Sequence, residues 1–117
     1  MITDIGRHNR RLGAKGERRA VKHLKSAGYK ILKRNYKCPF GEVDIIAEKG
    51  DTVAFVEVKT RLSDNFGTPA EAVNAQRRQR YVQTAKFYFS GREIDSVVRF
   101  DIIEVYRNEI NHIENAF

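Results

Sequence analysis

The residues of this chain best suited to chemistry are three acids and one amine: Glu17, Asp44, Glu57 and Lys59. Two of them lie in the run Phe55-Val56-Glu57-Val58-Lys59, where opposite charges interrupt an otherwise apolar segment. Strand side chains alternate faces with period two, so Glu57 and Lys59 share one face with Phe55. The preceding residues are apolar on both faces, which marks an internal strand covered on two sides. A carboxylate and an ammonium in such a place are costly unless they pair or hold a metal. Glu-x-Lys alone is common and on an edge strand is usually just solvated. The case for chemistry therefore depends on what else reaches the same spot.

The flanking elements decide that. Glu42 to Glu48 reads as a strand, with Lys49-Gly50 as a two-residue hairpin loop into the strand that carries Glu57. This register pairs residue 44 with 55 and 42 with 57. It puts Asp44 on the face of Glu57, one diagonal step away, within reach of one shared cation. A loop one residue longer would put the two acids on opposite faces. Upstream, Leu12, Ala20, Val21, Leu24 and Ala27 repeat at helical intervals from about Asn9 to Ala27, with Gly28 as a left-handed cap. Gly13 and Gly16 weaken the first part, so the firm helix is expected from near Lys15. Glu17 falls on the core-facing stripe of that helix; its alternative is a rim glutamate favoured by the helix dipole. Oxygen ligands of this kind suit a hard divalent ion, Mg²⁺ or Mn²⁺. Such an ion polarises a phosphoryl oxygen and activates water, and a nearby lysine offsets developing negative charge.

The remaining segments complete an α/β pattern. Residues 1–8 read as a loose arm, and Tyr29 to Lys37 as a first strand. Cys38-Pro39-Phe40-Gly41 reads as a turn, and 60–69 as a mobile surface loop. Pro69 opens a second helix, with Thr68 as its cap and Val73, Tyr81, Ala85 and Tyr88 as its buried stripe. Arg77, Arg78 and Arg80 make its flank basic; such a flank is usually a solvated face, and beside a candidate site it suits phosphate. Val97 to Tyr106 is a strong strand, expected parallel to the Glu57 strand because a helical crossover joins them. A short last strand, Ile110 to Ile113, follows.

At 117 residues the chain is read as a single domain, 1–117. Its formal net charge of +7 fits an anionic partner, nucleic acid before a membrane surface. A single cysteine excludes an internal disulfide and a cysteine-based zinc cluster. The first residues lack the apolar core of a signal peptide, and no stretch approaches a membrane span. The expected location is the cytoplasm. His8, His23 and His112 have no mutual ligand spacing in sequence, and surface or core roles are expected for them.

Asp44, followed thirteen residues later by Glu57-Val58-Lys59 across a hairpin, resembles the core of the PD-(D/E)xK nucleases. More closely, the chain is similar to the UPF0102 (YraN-like) family of bacterial proteins, related to archaeal Holliday-junction resolvases. The residues carrying that likeness are Gly13, Gly16-Glu17, Gly28-Tyr29, Asn35-Tyr36, Gly41-Glu42-Val43-Asp44-Ile45-Ile46, Phe55 to Arg61, Ala72-Val73 and Arg99-Phe100-Asp101. The resemblance implies a restriction-endonuclease-like mixed sheet with an α-β-β-β-α-β core flanked by two helices. It implies metal ligation by Asp44, Glu57 and the Val58 carbonyl, Lys59 as the catalytic lysine, and Glu17 as the matching helical acid. Val43 stands where the motif's name has proline. Gln76-Arg77 stands where relatives often place a lysine, and an arginine there can bind phosphate but cannot donate a proton.

The expectation is thus a metal-dependent endonuclease acting on DNA, on branched or processed structures. Arg61, Arg77, Arg78 and Arg80 would touch nucleic acid, and Glu42 and Asp101 would stand behind the site. Resolving a junction takes two symmetric incisions, hence a homodimer. The rival expectations are a binding module that does not cut and a protein-interaction unit whose basic face is incidental.

Overall fold

A computed structural model describes residues 4–61, 75–107 and 109–116, with side chains in the first helix described from Gly13 onward. The elements run α1 (Asp4–Ser26), β1 (Lys30–Cys38), β2 (Gly41–Lys49), β3 (Thr52–Thr60), α2 (Ala75–Tyr88), β4 (Val97–Tyr106) and β5 (Glu109–Ile113). The strands form one sheet in sequence order. β3 and β4 pair in parallel, and every other neighbouring pair is antiparallel. The parallel pair follows from the helical crossover.

Each face of the sheet buries one apolar set. Ala20, Val21 and Leu24 of α1 pack on Ile45, Ala47, Ala54, Val56, Ile103 and Val105. On the other face Tyr81 and Ala85 of α2 meet Val43, Ile46, Val53 and Phe55. Phe55 is fully buried, with its ring 5.8 Å from those of Tyr88 and Phe100. The alternation expected for β3 is therefore realised, and Glu57 and Lys59 fall on the α2 face with Phe55. The stripe position Val73, and the expected loop and cap between 62 and 74, lie outside the described residues.

Two sequence expectations are corrected. Residues 4–8 are helical rather than a loose arm, because α1 runs through Gly6, Gly13 and Gly16 from Asp4. A glycine weakens a helix by roughly 1 kcal/mol but keeps its hydrogen bond, so an established helix can propagate through it. The close of α1 is as expected: Gly28 has φ 95°, and the Tyr29 amide donates to the Leu24 carbonyl at 2.9 Å. The second correction concerns the hairpin. Lys49 pairs with Thr52, so the loop is Gly50-Asp51, and Gly50 supplies the positive φ (60°) that primed hairpin turns need.

Candidate functional site

That hairpin correction moves the register by two residues, which leaves Ile45 to Lys49 on their expected faces, whereas Val43 joins the α2 side although alternation would place it with Ile45. The ladder between β2 and β3 sets Ile46 against Phe55 and, at its far end, Ile45 against Val56. Asp44 and Glu57 follow this last pair on their two strands. There the Asp44 carboxylate takes over from the backbone: its Oδ2 accepts the Val58 N–H at 2.8 Å. The two strands thus part around a pair of acids. Burial raises the Asp44 pKa, the Val58 N–H opposes that, and the charges of Glu17, Glu57 and Glu42 push it up further. Both other acids singled out in the sequence, Glu17 and Glu57, therefore bear on Asp44 electrostatically.

Glu57 is 6% exposed. Its Oε1 accepts from the Arg77 guanidinium of α2 and lies 3.5 Å from Lys59 Nζ. Its Oε2 is buried and has no hydrogen-bond partner among the described residues. An orphaned carboxylate oxygen is an unsatisfied acceptor, and a hard cation is the ligand that would satisfy it. Among the described residues no three acidic, histidine or cysteine side chains stand together as a ready-made metal cage. The donor set thus fits an ion held by two carboxylates that completes its shell with water, as Mg²⁺ commonly does. Tyr81 closes the site from α2; burial, then the charges of Glu57 and Asp44, keep its phenol protonated well above the usual tyrosine range.

Glu17 of α1 acts on Asp44 through its charge and is held by β1. Its Oε1 accepts from Arg34 Nε at 3.3 Å and Asn35 Nδ2 at 3.2 Å. Asn35 sits at φ 51°, a left-handed conformation that asparagine tolerates better than most residues. Arg34 and Asn35 were not expected at the site; the positive-φ asparagine has no mark in sequence beyond its residue type.

The other expected contributors divide. Glu42, Arg78 and Arg80 are exposed. Arg61 is turned to a buried partner, its Nε 3.2 Å from Glu104 Oε2. Glu104, 1% exposed and in register with Lys59, is a further carboxylate on the face of Glu57 that the sequence does not single out. Val105 and Ile103 around it made that strand look purely structural. Asp101 does not stand behind the site. It pairs in register with Val56 and points to the α1 face, where Arg99, His112 and the Asn115 amide bind it. Its pKa is pushed up by burial but lowered more by His112, Arg99 and that amide, for a net depression. His112 in turn stands 3.2 Å from His23 Nε2, so two histidines with no sequence relation are neighbours in space.

An open five-stranded mixed sheet with a helix on each face, and paired acids where two strands part, makes this an α/β protein of restriction-endonuclease-like architecture. The chain belongs to the UPF0102 family: the profile described as "Uncharacterised protein family UPF0102" matches residues 16–105. It is 46% identical over 106 residues to a UPF0102 protein of Thermodesulfovibrio yellowstonii, covering 91% of this chain and 95% of that one. It is 48% identical over 118 residues to a UPF0102 protein of Caldicellulosiruptor saccharolyticus, covering 94% and 99%. A third, from Alkaliphilus oremlandii, is 47% identical over 116 residues, covering 93% and 99%. Among the described residues no helix is long and apolar enough to cross a membrane.

Proposed function

We propose that the protein is a divalent-metal-dependent endonuclease that hydrolyses phosphodiester bonds in DNA. The observation that carries this is the meeting of Asp44 and Glu57 where β2 and β3 part, with one Glu57 oxygen buried and unpartnered among the described residues. In this reading Asp44 and Glu57 hold Mg²⁺ or Mn²⁺, with Glu17 behind them acting through water. The ion supplies a polarised phosphoryl oxygen and a more acidic bound water.

The chain's own groups do the rest. Lys59, beside Glu57, neutralises charge gathering on the non-bridging phosphoryl oxygens and orients the attacking water. The Val58 amide fixes the Asp44 carboxylate, so the oxygen facing the reaction is set before substrate arrives. Tyr81, held protonated, stays a hydrogen-bond donor at neutral pH. The excess of basic residues draws a polyanion to the surface.

The test is a panel of linear, nicked, flapped and four-way DNA with Mg²⁺ or Mn²⁺. Asp44→Ala and Glu57→Ala should each abolish metal-dependent product while far-ultraviolet circular dichroism is unchanged. Equal cleavage by both variants would refute the assignment. A second reading, a DNA-binding module that does not cut, is favoured by one observation: Arg77 and Lys59 already occupy Glu57 Oε1. It predicts salt-sensitive binding and no product on any substrate.

A further inference from the structure

A pocket at the carboxyl end of the parallel pair β3–β4 is lined by Lys15, Arg19, Arg61 and Arg107 and, among the described residues, by no acid. Its floor is a close approach of helix to strand. A Cβ at Gly16 would stand 2.2 Å from Thr60 Oγ1, so only glycine lets α1 come this near. Thr60 and Val105 face α1, so the pocket lies at the end of the strand that carries Glu57 and Lys59 but on the other side of the sheet from them.

The charges are placed at a cost. Lys15 and Arg19 are four residues apart on α1, an arrangement in which like charges destabilise a helix. Arg107 follows the end of β4 with the positive φ (49°) of a tight hairpin connection, and its guanidinium lies 5.1 Å from the Tyr106 ring. Glu104 takes up part of the Arg61 charge from below. Among the described residues lining the pocket, none carries a negative charge to offset the other three. Cations gathered against their mutual repulsion at the mouth of a parallel strand pair are what a bound anion would stabilise.

We infer that Lys15, Arg19, Arg61 and Arg107 bind a phosphate group of a nucleic-acid chain at the end of the strand that carries Glu57 and Lys59. The inference rests on the nuclease reading for the identity of the anion. The shared chemistry is a phosphate with free oxygens, whether an internal diester or a terminal monoester.

The experiment removes the two exposed cations, Lys15→Ala with Arg107→Ala, in the full chain. A control of equal charge carries Lys25→Ala and Lys30→Ala, both exposed and outside the pocket. Binding of duplex DNA, with and without a 5′-phosphate, is followed by fluorescence anisotropy in EDTA over a salt series. Two lost phosphate contacts should flatten the slope of log K against log salt by about 1.8. The control pair should change it by less than half as much. A gain from the 5′-phosphate that disappears in the pocket variant identifies a terminal monoester, and no such gain identifies an internal diester. Equal flattening by both variants, or no binding by the unmodified protein, overturns the inference. Because no metal is present, the result stands apart from cleavage: a protein that binds in this way but never cuts would retain the pocket and lose the nuclease.

Discussion

Arg77 and a metal ion would compete for the same carboxylate, and Arg77→Ala should expose that competition. Glu57 is 6% exposed, and its side chain keeps Lys59 at 3.5 Å once the guanidinium is gone. Removing one partner of a fully buried pair costs roughly 3–5 kcal/mol. Here Arg77 is 28% exposed and a second cation remains, so we expect about 2 kcal/mol. For a domain of this size that lowers Tm by ~8 °C. An ion at a hundred times its Kd returns about 2.7 kcal/mol, enough to offset the loss. Thermal melts by circular dichroism at pH 7.5, with EDTA and then with Mn²⁺, read both quantities. The metal-free deficit should be largely erased by the ion, and the ion should raise Tm more in Arg77→Ala than in the parent. Glu57→Gln closes the cycle, since in that background Arg77→Ala should be nearly neutral. An undiminished loss in the Glu57→Gln background, or identical ion-induced shifts in parent and variant, would refute the competition.

Asp44→Asn should raise Tm in EDTA, because it removes a carboxylate that burial and neighbouring acids disfavour when charged, and should abolish the Mn²⁺-induced shift; melts with and without the ion check both. Gly16→Ala should destabilise by about 1–2 kcal/mol despite the better helix propensity of alanine, and Thr60→Ala should relieve most of that in urea titrations. Asp101→Asn should cost about 3 kcal/mol at pH 7, since Arg99 and His112 lose a fully buried carboxylate. The folded-state pKa of Asp101 is depressed, so its contribution is present above the ordinary carboxylate range and lost as pH falls through the folded value. The gap between parent and variant should therefore close below about pH 4 in acid unfolding curves.

The face of each β3 side chain was legible because a sheet's alternation is strictly binary. That is why a hairpin placed one position early still left Asp44 and Glu57 on one side. The point where the β2–β3 ladder ends, at Ile45 and Val56, was not legible, because it depends on which two residues turn. Sequence named Asp101 as a neighbour of the site because it lies among apolar strand residues, but its face depends on the register of β4 against β3. That pairing is long-range, and no local pattern encodes it. Glu104 was overlooked for the same reason. The meeting of His23 and His112 depends on how α1 crosses the sheet and on where β5 returns. The basic flank of α2 was plain in sequence, whereas the turning of Arg77 inward and the exposure of Arg78 and Arg80 are decided by packing.

The fastening of the last turn has a practical side. Asn115 gives its amide to Asp101, and Ala116 gives its own to the Phe100 carbonyl at 2.8 Å. Trimming the chain back to Ile113 would strip a backbone donor from a carboxylate with no access to water. Versions of the protein made for crystallisation or tagging should accordingly leave residues 114–116 in place and append beyond them. Residues 115 and 116 thus latch onto the middle of the sheet.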